Sequence, residues 1–164
     1  MHDDKKHEEM RMTKEIAGLE LPNIILPSTD KKDLRIPADL IGSYTVLFFY
    51  PKDLTFGCTK EACNFRDNTT EFKALNAKIF GVSADSLESH ERFINKHALN
   101  FPLLCDTNKE LAKALGVSSF LGMLSRDTFL IDPSGKVIKT WRKVNPSNTV
   151  SESLEELKKQ LSAP

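Results

Sequence analysis

Thr45-Val-Leu-Phe-Phe-Tyr50 is a continuous run of β-branched, aliphatic and aromatic residues that stops at Pro51. With no alternation of polar side chains, it reads as a strand buried on both faces of a sheet. The chain continues as Pro51-Lys-Asp-Leu-Thr-Phe-Gly-Cys58 and then Thr59-Lys-Glu-Ala-Cys63. Lys60 to Arg66 holds good helix formers, and no Gly or Pro recurs before Gly81. Cys58 therefore falls where a buried strand gives way to a helix N-terminus. Unpaired N–H groups and the positive end of the helix dipole favour a thiolate there, and the thiolate is the nucleophilic form of cysteine.

Downstream, Lys78-Ile-Phe-Gly-Val-Ser83 reads as a second strand. Ser86 is a candidate N-cap for a helix that turns Leu87, Phe93 and Ile94 inward. Phe101 to Leu104 suits a short extended segment, and Asn108 to Leu115 a brief helix stopped by Gly116. Thr128-Phe-Leu-Ile131 and Lys136 to Trp141 flank Asp132-Pro-Ser-Gly135, the pattern of a β-hairpin. Thr149 with Glu152 has the spacing of a capping box, ahead of a helix with Val150, Leu154, Leu157 and Leu161 on one face. Parallel strands joined by helices, then a hairpin and a closing helix, predict an α/β chain. Its central mixed β-sheet would carry helices on both faces, which is the order of the thioredoxin-like fold.

With 164 residues, 40% of them hydrophobic, the chain can bury one substantial core. Residues 1–13 are mostly charged and read as a flexible tail, leaving 14–164 as one domain. Lys plus Arg and Asp plus Glu are both 23, so no net positive field exists to hold a nucleic acid. Neither a signal peptide nor a membrane span is legible, and three cysteines fit a reducing compartment, so a cytoplasmic protein is expected. None of His2, His7, His90 and His97 has a Cys or His neighbour at ligand spacing, so neither a metal nor another cofactor is expected.

Pro51-x-x-x-Thr55-x-x-Cys58 resembles the peroxiredoxin active-site motif. Cys58-Thr-Lys-Glu-Ala-Cys63 resembles that of the subgroup called bacterioferritin comigratory protein or peroxiredoxin Q. Similar stretches run from Leu21 to Leu161 and include Phe48 to Asp53, Phe101 to Asp106, Arg126 to Asp132 and Trp141 to Val144. The resemblance implies a thiol-dependent peroxidase that reduces hydrogen peroxide and organic hydroperoxides. Cys58 would be the peroxidatic cysteine and Cys63 the resolving one, joined in an intramolecular disulfide that a thioredoxin-like dithiol reduces. Pro51, Thr55 and Arg126 would support the site, and the backbone around Gly57 and Cys58 would hold the peroxide oxygens. The subgroup also implies a monomer or weak homodimer.

The chain departs from that pattern at Phe56, where Pro is usual, and at Cys105, where Ser is common. Phe56 removes no catalytic group, and the apolar neighbours of Cys105 make it a buried, inert thiol. Two other function classes remain open on the residues themselves. A disulfide reductase ordinarily carries Cys-x-x-Cys, whereas four residues separate this pair. A non-catalytic interaction module can share the same fold.

Overall fold

The computed structural model describes residues 19–162; the tail expected over 1–13 lies outside them. Five strands form the central sheet: β3 (Tyr44–Phe49), β4 (Ala77–Ser83), β5 (Leu103–Cys105), β8 (Thr128–Ile131) and β9 (Val137–Trp141). Their order across the sheet is β5-β4-β3-β8-β9. The apolar run that opens the argument is thus the middle strand, parallel to β4 and antiparallel to β8. Val46, Leu47, Phe48 and Phe49 have no exposed surface, as burial on both faces requires. Two short hairpins stand apart from this sheet: β1 (Ile24–Leu26) with β2 (Leu34–Ile36), and β6 (Ser119–Phe120) with β7 (Met123–Leu124).

Among the described residues five α-helices accompany the strands: α1 (Phe56–Asp67), α2 (Thr69–Ala74), α3 (Leu87–His97), α4 (Glu110–Ala114) and α5 (Thr149–Ser162). The core divides into two clusters on opposite faces of the sheet. Leu47, Phe49 and Phe129 belong to one; Val46, Phe48 and Leu130 belong to the other, with Phe65 of α1 and Leu157 of α5. Alternate residues of one strand feed opposite faces, the two-residue period of an extended chain.

Gly81 of β4 lies opposite Phe48, and a Cβ there would come within 2.8 Å of the Phe48 ring and 2.7 Å of Leu103. The missing side chain leaves room for Phe48 to stack on Phe65 at 4.5 Å between ring centres. That contact seats α1 on the sheet and so fixes the direction in which its first turn, with Cys58, points.

The structure corrects four expectations. Leu87 is 39% exposed while Phe93 is buried, because Leu87 opens α3 at its solvent edge. Leu161 is 48% exposed, since the last turn of α5 runs past the core that Val150, Leu154 and Leu157 fill. The brief helix over Asn108 to Leu115 starts later, at Glu110, because Lys109 takes a left-handed conformation at φ 58°. Thr149 makes no capping box: it lies inside α5 and donates its hydroxyl hydrogen to Glu61.

Candidate active site

Cys58 is the third residue of α1, so its N–H and those of Phe56 and Gly57 have no intrahelical acceptor. Its side chain is 1% exposed and carries a free thiol. Arg126, at the start of the segment leading into β8, places Nη2 3.4 Å from Cys58 Sγ. Its Nη1 donates to Glu61 Oε1 at 2.9 Å, and Thr149 Oγ1 donates to Glu61 Oε2 at 2.6 Å. A permanent cation, fixed by a carboxylate that α5 holds in turn, therefore faces the sulfur.

These charges shape one another. Burial opposes the charge of Arg126, but the neighbouring Glu61 and Cys58 hold its pKa above the usual value. Burial pushes the Glu61 carboxyl up, against the hydrogen bond from Thr149 and the charge of Arg126. The sequence did not mark Glu61 for the site and marked Thr149 only as a helix cap. The available signal for Glu61 was its place three residues after Cys58, which puts both on one helical face.

Gly57 earns its place through space for the arginine. A Cβ at Gly57 would lie 3.2 Å from Arg126 Nη2 and 3.6 Å from Pro146. Gly57→Ala should push the guanidinium aside by a few tenths of an ångström. Small misplacement near reacting atoms is costly, so peroxide reduction should fall about fivefold with the fold unchanged. Stopped-flow measurement of the reduced protein checks this.

Thr55 is the N-cap residue of α1, and its Oγ1 donates to the Lys52 carbonyl at 2.8 Å. Its proton is thus taken by a backbone acceptor in this state, which leaves its lone pairs to receive one. Pro51, half-buried at the end of β3, borders two clefts beside the β6–β7 hairpin, both of which include Met123.

Cys63 belongs to α1 as well, but opens into a groove with Leu54, Phe56, Thr59, Lys96 and His97. Phe56, the first residue of the helix and 88% exposed, lines that groove and not the arginine side. Cys105 is free and 3% exposed. His90, without ligand-spaced neighbours in sequence, is brought by the fold against Asp53 and Asp85, one ligand-type atom of each lying within 4.8 Å of the others. Those atoms already have hydrogen-bond partners, among them Asp53 Oδ2 with His90 Nδ1 at 2.7 Å and Asp85 Oδ2 with the Asp53 N–H at 2.9 Å.

Comparison with known proteins gives the family. Residues 17–140 match the model of the AhpC/TSA family. The chain is 44% identical over 155 residues to peroxiredoxin Bcp of Bacillus subtilis, covering 90% of this chain and 97% of that one. It is 36% identical over 139 residues to peroxiredoxin Bcp of Escherichia coli K12, covering 80% and 88%. Among solved structures it resembles the bacterioferritin comigratory protein of Xanthomonas campestris, studied for its alkyl peroxide reduction in trapped intermediate and ligand complexes. That likeness has a TM-score of 0.81 and 35% identity, covering 88% of this chain and 98% of that one. The chain belongs to the AhpC/TSA family, within it to the Bcp/Q peroxiredoxins, and is a thiol-dependent peroxidase with a thioredoxin-like fold.

Proposed function

We propose that Cys58 is the peroxidatic cysteine and that Cys63 resolves it. The observation that carries this reading is the Arg126 guanidinium 3.4 Å from Cys58 Sγ and tied to Glu61. The thiolate of Cys58 attacks the terminal oxygen of a hydroperoxide, the O–O bond breaks, and the departing alkoxide leaves as an alcohol once protonated. Cys58 becomes a sulfenic acid. Arg126 and the free N–H groups of Gly57 and Cys58 stabilise the charge on the oxygens, while Thr55 Oγ1 accepts the hydrogen bond of the hydroperoxide O–H. The Cys63 thiol then displaces water from the sulfenic acid to form a disulfide, which an external dithiol of thioredoxin type reduces.

Alkyl hydroperoxides suit this site as well as hydrogen peroxide does. Phe120 and Leu121, at 74% and 81% exposure, leave apolar surface on the β6–β7 hairpin beside Pro51. The similarity to a protein studied for alkyl peroxide reduction supports the same class.

Cys58 and Cys63 share one regular helix. Five residues advance about 7.5 Å and turn about 140° beyond a full turn, so the Cα atoms lie roughly 8.6 Å apart and the side chains diverge. A disulfide needs Cα atoms within about 7 Å and converging Cβ vectors. Part of α1 must therefore open in each cycle. Amide hydrogen exchange tests this directly: protection across Thr59 to Arg66 should be high in the reduced protein and fall in the oxidised one. Equal protection in both states would overturn resolution by Cys63 through helix opening.

A further inference from the structure

Between Pro51 and Cys58, Asp53 is the one side chain that is buried; Lys52, Leu54, Thr55 and Phe56 are exposed. The segment that carries the active-site threonine is thus fastened to the protein body through Asp53, chiefly by its carboxylate. Three donors converge on it. Tyr50 donates its hydroxyl hydrogen to Oδ1 at 2.5 Å, Ser89 donates to Oδ2 at 2.8 Å, and His90 Nδ1 lies 2.7 Å from Oδ2. The other ring nitrogen, Nε2, faces the Leu104 carbonyl at 2.9 Å. A carbonyl only accepts, so Nε2 carries hydrogen. Nδ1 faces a carboxylate oxygen and Nε2 a carbonyl, so both ring nitrogens meet acceptors and the ring is an imidazolium.

Burial opposes that charge, but Asp53 and Cys105 beside the ring raise the His90 pKa to about 10. His90 has no exposed surface. A buried ion pair is poor as a pure stabiliser, because losing water offsets most of the attraction, so its use as a fixed anchor is the better physical account.

What the anchor holds is visible in the next residue. Leu54 adopts φ 64°, a left-handed conformation that costs a leucine energy. Asp53 is pinned on one side by its carboxylate and by its own N–H to Asp85 Oδ2 at 2.9 Å. On the other side α1 begins, with Thr59 N–H bonded to the Thr55 carbonyl at 2.8 Å. The strained residue sits between the two fixed points and sets the angle at which Thr55 and the first turn of α1 leave the loop.

We propose that Asp53 and His90 are positioning residues of the peroxidase site: their buried pair holds Leu54 in its left-handed conformation and so places Thr55 for the incoming hydroperoxide. The proposal rests on the reading of Thr55 and Cys58 above, and its test separates the two. Neither residue touches the sulfur or the peroxide.

The experiment compares two reactions of Cys58 in the reduced protein. One is peroxide reduction with an alkyl hydroperoxide, which needs Thr55 in place. The other is alkylation by iodoacetamide, which needs the thiolate and Arg126 but no hydroperoxide geometry. His90→Asn should lower kcat/KM for the hydroperoxide about tenfold and leave alkylation within about twofold. Asn tolerates positive φ far better than Leu, so Leu54→Asn in the His90→Asn background should restore about threefold of the loss, while Leu54→Asn alone stays near wild type.

Tyr50→Phe and Ser89→Ala each remove one donor to Asp53 with little change of volume. Each should show a smaller loss of the same selective kind, and they decide the matter where His90→Asn does not fold. A hydroperoxide rate unchanged by these variants, both reactions changing in parallel, or no recovery with Leu54→Asn would overturn the proposal. Loss of alkylation and peroxide reduction together in Cys58→Ser, with the anchor variants near wild type, would leave the reading of Cys58 standing and this one refuted.

Discussion

Cys58→Ser should abolish peroxide consumption in the presence of dithiothreitol, down to the rate of buffer with reductant alone. In the proposed cycle the sulfur gives up its electron pair, and a serine hydroxyl in the same place is neither ionised at neutral pH nor comparably nucleophilic toward oxygen. The substitution is small, and the site it leaves keeps the Arg126 to Glu61 pair at 2.9 Å and the Thr149 hydrogen bond at 2.6 Å. The variant should therefore fold and unfold like the wild type, as circular dichroism and thermal melting can verify. Among the described residues neither Cys63, which lines the groove with His97, nor Cys105, 3% exposed, receives a guanidinium hydrogen bond as Cys58 does, so neither should substitute for it. Retained consumption in a folded Cys58→Ser protein would place the chemistry at another thiol.

Arg126→Ala should slow the reaction of the reduced protein with peroxide about a hundredfold, corresponding to about 3 kcal/mol for one donor aimed at developing oxygen charge. The loss has two sources in the geometry: the cation 3.4 Å from Cys58 Sγ disappears, and so does the donor that would meet the breaking O–O bond. A third consequence concerns Glu61. It is fully buried, and Arg126 is its charged partner, so removing Arg126 leaves a carboxylate with only Thr149 to satisfy it. Truncating one member of a buried pair is destabilising, and the variant should melt lower than wild type. Arg126→Ala combined with Glu61→Gln should recover stability without recovering rate, which separates the packing effect from the chemical one. Stopped-flow kinetics and melting curves on the single and double variants give both quantities.

The parts of the fold that a single sequence displays are those whose signal is local and long. The apolar run ending at Pro51 marked the central strand because a strand buried on both faces needs no alternation, and Asp132 to Gly135 marked the hairpin because turn geometry demands those residues. The β1–β2 and β6–β7 hairpins escaped notice since strands of two or three residues give no usable period.

At the site, Cys58 and Arg126 were legible through the motif, and the structure joins them across 68 positions of sequence. Glu61 was not, because a glutamate on a helix ordinarily faces water; only the distant Arg126 and Thr149 make its burial possible. Thr149 shows the same limit from the other side: its capping-box spacing was real, but a buried carboxylate 88 positions away competes for the hydroxyl and wins. His90 and Asp53 were silent for a related reason, since an ion pair formed between a loop and a helix has no spacing rule.

The most direct test of the cycle is the identity of the first disulfide. One equivalent of peroxide added to the fully reduced protein, followed by alkylation of free thiols and peptide mapping without reductant, should give a link between Cys58 and Cys63 within one chain, with Cys105 alkylated only after unfolding. A Cys58 to Cys105 link, or a disulfide between two chains, would contradict it.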